Sequence, residues 1–160
     1  MVEEKIVSYG LSSSSLPYYL ATFMSIETQE VTIISPFISQ FKIPPLDKRF
    51  KLKNEDSTSF FGALASLSSL GVRVSIFTTE GYVTKISKYF NQSTQKVRIR
   101  VVPELHEKFF ISSEFFYKGS ANLTYSGLYA NIESCEIGLV KTNNMYIRSI
   151  LQRIERSSKN

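Results

Sequence analysis

The sequence has no tryptophan, one cysteine and one histidine, and each scarcity narrows what the protein can be. A lone Cys135 has no second thiol to pair with inside the chain, so the fold must be held by its core rather than by cross-links. It reads as a small core residue. One cysteine and one histidine also put a closed zinc site of the usual Cys/His kind out of reach, and no metal is expected. No run approaches the ~18 apolar residues that span a bilayer. The acidic start Met1-Val2-Glu3-Glu4-Lys5 is not followed by the apolar core of a signal peptide. A soluble, cytoplasmic protein with no integral membrane association is the expectation. Internal repeats, low-complexity tracts and linkers are missing as well, so residues 1–160 read as one domain.

What is abundant is apolar and basic. Hydrophobic residues make up 42% and aromatics 13%, enough for one sizeable core. Nineteen Lys and Arg against fourteen Asp and Glu give a net charge of +5, which favours a polyanionic partner such as nucleic acid.

Periodicity supplies the elements. Ser12 to Ser15 followed by Pro17 form a helix start, with the helix running through Leu20, Phe23 and Met24. Val31 to Ile38 is β-branched and reads as a buried strand. A loop from Ser39 to Asp56 carries Lys42, Lys48, Arg49, Lys51 and Lys53. A second helix, capped by Asp56 or Ser57, follows with Phe60, Phe61, Leu64, Leu67 and Leu70 at helical spacing, and Gly71 stops it. Val72 to Phe77 alternates as a strand, Val83 to Phe90 as a helix, and Val97 to Val102 as another strand. Lys108 to Ser112 and Phe115 to Lys118 form a hairpin, Glu136 to Val140 a strand, and Tyr146 to Arg156 a closing amphipathic helix. Strands alternating with helices, plus a hairpin, predict an α/β fold: a three-layer α/β/α sandwich with a mixed β-sheet.

Three short stretches carry chemistry: His106-Glu107-Lys108, then Gly119-Ser120-Ala121-Asn122-Leu123-Thr124, then Asn131-Ile132-Glu133. On an extended chain His106 and Lys108 project together, while Phe109 and Ile111 pack the other way. An imidazole beside a fixed ammonium suits phosphate chemistry, as nucleophile or proton carrier and charge stabiliser. Small residues from Gly119 to Asn122 let a substrate oxygen approach backbone, with an amide donor in Asn122. Glu133 is suited to accept a proton from the second imidazole nitrogen. Taken singly, each of these residues has an ordinary structural role. Phe109, Phe110, Phe115 and Phe116 read as core or hairpin packing.

The combination resembles the phospholipase D superfamily, whose signature is His-x-Lys, four residues, Asp, and then Gly-Ser-x-Asn. Ser126-Gly127-Leu128, Asn131 and Glu133 also fall where family members carry Ser-Gly-Leu, Asn and Glu. The resemblance covers nearly the whole chain, from the helix before Val31 through Ser35-Pro36-Phe37 to the last helix, as one repeat of that fold. Two departures stand out: Ser113 occupies the aspartate's position, and the hairpin between Lys108 and Gly119 is one residue shorter.

The resemblance implies a phosphodiesterase without metal or other cofactor, and a homodimer, since members with two motifs build one active site between two repeats. One His106 would form a phosphohistidine and the other would act as acid and then base. Lys108 and Asn122 would hold the non-bridging oxygens, Glu133 would orient the imidazole and Ser120 would add a hydrogen bond. In compactness the chain looks most like the small endonucleases of the superfamily. Lys42, Lys48, Arg49, Lys51 and Lys53 are then candidate phosphate contacts, with Phe41 and Phe50 placed for occasional stacking. The alternatives are a phospholipid phosphodiesterase or transferase, and a catalytically silent dimeric nucleic-acid-binding module.

Overall fold

Alternating apolar side chains sort the strands onto two buried faces of a single sheet. In the computed structural model the described residues are numbers 5–11, 15–26, 28–44, 59–90 and 97–159. The sheet has seven strands in the order β1-β7-β6-β5-β2-β3-β4. They are β1 (Lys5–Leu11), β2 (Glu30–Ile34), β3 (Arg73–Thr78), β4 (Val97–Val101), β5 (Phe109–Ile111), β6 (Phe115–Gly119) and β7 (Glu133–Leu139). β2, β3 and β4 run parallel, and all the other pairings are antiparallel, which makes the sheet mixed.

On one face, Val31, Ile33, Val74, Ile76, Phe110, Tyr117, Cys135 and Ile137 share a core with three helices. These are α1 (Ser15–Ser25), α2 (Phe60–Ser69) and α3 (Glu80–Phe90), which contribute Leu20, Phe23, Leu64, Leu67, Ile86 and Phe90 among others. On the opposite face, Ile34, Phe77, Phe109, Ile111 and Phe116 meet Ile147, Ile150 and Ile154. Those three isoleucines form one stripe of α4 (Asn144–Ser157), so helices cover both faces in three layers, as the periodicity predicts. Each isoleucine so buried contributes about 1.5–3 kcal/mol.

The structure shifts several boundaries. β2 stops at Ile34 rather than Ile38, because Ser35 turns its hydroxyl onto the Phe37 carbonyl and Pro36 has no amide to offer a ladder. Ile38 makes only an isolated bridge, to Leu123. The cap of α2 is Ser59, whose Oγ accepts from Gly62 N–H, rather than Asp56 or Ser57, which lie outside the described residues. Gly71, at φ +91°, ends the turn after α2 where a side chain would be strained. β1 was not expected from the pattern, nor was the π-helical turn Ser126–Ala130.

Candidate active site

Strand register gathers the candidate residues at one rim of the sheet, the edge formed by the ends of its inner strands. Ile34 pairs with Phe109, Phe109 with Lys118, and Gly119 with Cys135. The end of β2, the start of β5, the end of β6 and the start of β7 therefore lie side by side. His106 and Lys108 precede β5, Ser120 and Asn122 follow β6, and Glu133 opens β7. All five come to this edge.

His106 is solvent-exposed and Lys108 half-buried. Neither lies within the strand: β5 begins at Phe109, and the Lys108 ammonium donates to the His106 carbonyl at 2.9 Å. Phe109 and Ile111 do pack the other way, under α4. The preceding turn contains Glu104 at φ 56°, in the left-handed region, while Leu105 is buried in the α4-side core. Glu107 is paired with Arg153 of α4 at 2.7 Å, which ties the segment down between His106 and Lys108.

Glycines shape the loop that carries Ser120 and Asn122. A Cβ on Gly119 would collide with the Ser134 carbonyl oxygen and the Tyr117 ring, and one on Gly127 with the Asn122 carbonyl. The Ser-Gly-Leu element is thus needed by its contact with Asn122. Tyr117, fully buried, binds both backbone groups of Ala121: its hydroxyl donates to the carbonyl at 3.0 Å and accepts from the amide at 3.1 Å. Burial pushes the Tyr117 phenol well above its ordinary range, with the Ala121 hydrogen bond acting the other way. Ser35, also buried, accepts from Leu123 N–H at 3.0 Å and joins the end of β2 to this loop. Asn122 Oδ1 is buried and has no hydrogen-bond partner among the described residues.

Glu133 accepts a short hydrogen bond from the Ser120 hydroxyl, and Ser120 Oγ in turn accepts from Ser134 N–H at 3.0 Å. Within one copy, then, Glu133 engages Ser120. On the α4 side of the edge, Lys118 donates to the Tyr146 hydroxyl at 2.7 Å, and that bond holds its ammonium form above the usual lysine range.

Ser113 sits at the far end of the hairpin. Its Oγ accepts from Thr28 Oγ1 at 3.0 Å and from Gln29 N–H at 2.9 Å, while its own N–H donates to Thr28 Oγ1 at 3.0 Å. These bonds fasten the β5–β6 turn to the chain entering β2.

Of the basic loop, Lys42 is described and exposed; Lys48, Arg49, Lys51 and Lys53 lie outside the described residues, as does Phe50. Phe41 is not available for stacking a base: it is 4% exposed and stacked on Phe60 at 4.5 Å. Sequence reasoning passed over Tyr117 and Thr28, and named Ser35 only as part of a strand end. For Tyr117 and Ser35 the signal is a hydroxyl among apolar neighbours, legible only when the backbone it serves is known; Thr28, between Glu27 and Gln29, carries no such mark.

Residues 27–156 match the family described as cardiolipin synthase, PLD-like domain. No curated protein sequence gives a significant match. Among solved structures, the phospholipase D family member Nuc from Salmonella typhimurium is similar at 15% identity and a TM-score of 0.68, over 98% of this chain and 97% of that one. NucT from Helicobacter pylori is 16% identical with a TM-score of 0.65, over 97% of both chains. TrmBL2, an archaeal chromatin protein, is 16% identical with a TM-score of 0.58, over 99% of this chain and 54% of that one. At such identities the likeness establishes the fold, and the matched family covers most of the sequence. The chain belongs to the phospholipase-D-like domain family.

Proposed function

We propose that this chain is a nucleic-acid phosphodiesterase whose active site is completed by a second copy of itself. The observation that carries the reading is that one His-x-Lys pair, one Gly-Ser-x-Asn loop and one glutamate meet where the ends of β5, β6 and β7 lie side by side, in a chain with one histidine. Hydrolysis through a covalent intermediate needs a nucleophile and a separate proton donor. With one imidazole per chain, two copies facing each other across a two-fold axis supply both.

One His106 attacks phosphorus, forming a nitrogen–phosphorus bond as the bond to the leaving oxygen breaks. The partner's His106 gives that oxygen a proton. Water then attacks phosphorus and passes a proton to the same imidazole, and the nitrogen–phosphorus bond breaks. Lys108 and Asn122 of both copies hold the non-bridging oxygens as charge develops. Glu133 orients the imidazole and Ser120 adds a hydrogen bond to the same network. Ser113 lies away from this edge, so the missing aspartate takes no group from it.

Nucleic acid as substrate is supported by the +5 charge, and by the likeness to TrmBL2, whose structure is of a DNA-binding chromatin protein. Lys42, with Lys48, Arg49, Lys51 and Lys53, holds flanking phosphates in this reading. The family description points to a lipid diester as the competing substrate.

The test is turnover of labelled DNA, RNA and phosphatidylglycerol vesicles by wild type and by mixed dimers with one intact His106. Cleavage of DNA or RNA, with mixed dimers below about one-tenth of the wild-type rate, is expected. Half the wild-type rate per mixed dimer overturns the shared site, and turnover of vesicles alone overturns the substrate.

A further inference from the structure

Two aromatic side chains at the site edge are held in place yet left in water. Phe37 follows the end of β2 and is 50% exposed; Tyr125 follows Asn122 and is 61% exposed. They flank the same junction: Ile38 bridges Leu123 in parallel, with Phe37 one residue before that bridge and Tyr125 two residues after it. Ser39 Oγ accepts from Tyr125 N–H at 3.1 Å, which fixes the second ring's backbone to the first ring's loop.

Both rings are backed by a second aromatic. Tyr125 lies on Tyr129 with centroids 5.4 Å apart and planes within 26°, so one face is covered and the other is open. Phe37 meets Tyr82 edge-on at 5.5 Å. A lysine side chain stands beside Tyr82, and a lysine's backbone meets Tyr129. The Lys85 ammonium lies 5.7 Å from the Tyr82 centroid, and the Tyr129 hydroxyl donates to the carbonyl of Lys42, whose side chain is exposed. Thr79 Oγ1 donates to the Pro36 carbonyl at 2.7 Å and braces the turn that presents Phe37.

We propose that Phe37 and Tyr125 are stacking plates for unpaired bases on either side of the reacting phosphate, and that the substrate is single-stranded nucleic acid. This rests on the nucleic-acid phosphodiesterase reading of the site. Open aromatic faces with Lys85 and the exposed Lys42 in the same region match what a single strand offers, which is bases with free π-faces joined by phosphates. A duplex does not offer it, because its bases already stack on one another. Aliphatic side chains would serve a lipid chain equally well, but the backed, oriented rings are specific to a planar ligand. Stacking also tolerates any base, so the plates select strandedness rather than sequence.

The experiment measures binding of fluorescein-labelled oligothymidylate and of a duplex of equal length, using the full-length His106→Ala chain to prevent cleavage. Phe37→Ala and Tyr125→Ala are compared with Phe37→Tyr and Tyr125→Phe, which keep the rings. Hydrolysis of methyl 4-nitrophenyl phosphate, a diester without a base, and light scattering are run on the same substitutions with His106 intact. Each alanine variant is expected to weaken single-strand binding at least about fivefold. Duplex binding, diester hydrolysis and the dimer should change less than about twofold, and the ring-keeping variants should bind as the parent. Equal loss on single strand and duplex, no loss on either, or loss of the dimer itself overturns the proposal; the last would make a second copy the occupant of the rings. Should the diester remain intact with wild type while the stacking losses appear, the enzymatic reading fails and the single-strand site stands. The reverse pattern leaves the enzyme and removes the plates.

Discussion

The two ends of the β5–β6 hairpin have opposite characters, although the same motif runs through both. At one end, His106 and Lys108 leave the sheet beside a loop whose shape depends on two glycines and a buried tyrosine. At the other, Ser113 spends its hydroxyl and amide on Thr28 and Gln29, with no candidate site residue near it in the register. Four residues of extended chain separate Lys108 from Ser113, which places them roughly 15 Å apart. A motif continuous in sequence is thus divided in space into a group that faces substrate and a group that fastens the strand. An aspartate at position 113 would present two acceptor oxygens to the same amides; serine supplies one acceptor and one donor.

The contrast breaks most visibly at the exposed end. His106→Ala is expected to lower phosphodiester turnover by on the order of 10⁴-fold or more. Its far-UV circular dichroism and urea midpoint should match wild type, since the side chain is in water. An active variant would move the chemistry elsewhere.

An intermediate effect is expected from Tyr117→Phe, which removes the hydroxyl bound to Ala121 and leaves two buried backbone groups without it. The expected loss is about 1–3 kcal/mol in urea unfolding, together with a fall in kcat. The same variant has a signature in pH. Folding raises the Tyr117 phenol above its ordinary value, so the folded chain keeps a proton that the unfolded chain releases. That contribution is complete below the usual tyrosine value of about 10 and is lost as pH rises beyond it. Wild type should therefore lose stability above about pH 10 more steeply than Tyr117→Phe. Equal slopes would show that the phenol's burial has no hold on the loop.

The smallest effect belongs to the far end. Ser113→Ala is expected to cost about 1 kcal/mol through its bonds to Thr28 and Gln29, with turnover within about threefold of wild type. Ser113→Asp should alter either quantity only modestly. A collapse of turnover in Ser113→Ala with an unchanged urea midpoint would erase the distinction between the two ends.

Much of this architecture was legible because burial imposes period on the sequence. The parallel strands and α4 show their faces directly: Ile147, Ile150 and Ile154 can meet only one surface. The members of the candidate site were legible as a set of unusual neighbours rather than singly. What escaped depends on contacts between distant segments. β1 exists through its ladder to β7, more than a hundred residues away in sequence, as Lys5 pairs with Gly138. Phe41 and Phe37 are four residues apart and chemically alike, yet one is stacked in the core and the other stands in water. Exposure of an aromatic is a property of the packed chain, and composition carries no sign of it.

Glu104 has a thermodynamic consequence of its own. A side chain in the left-handed region costs roughly 1–2 kcal/mol that glycine would not incur, and here the cost falls two residues before the chain's one imidazole. Leu105 can enter the core and His106 can emerge from it only if the backbone reverses sharply between them and β4. The stability forgone at Glu104 is a measure of how strongly the rest of the fold dictates that exit direction. It makes this turn a local spring, loaded in the native state and relaxed in the unfolded one.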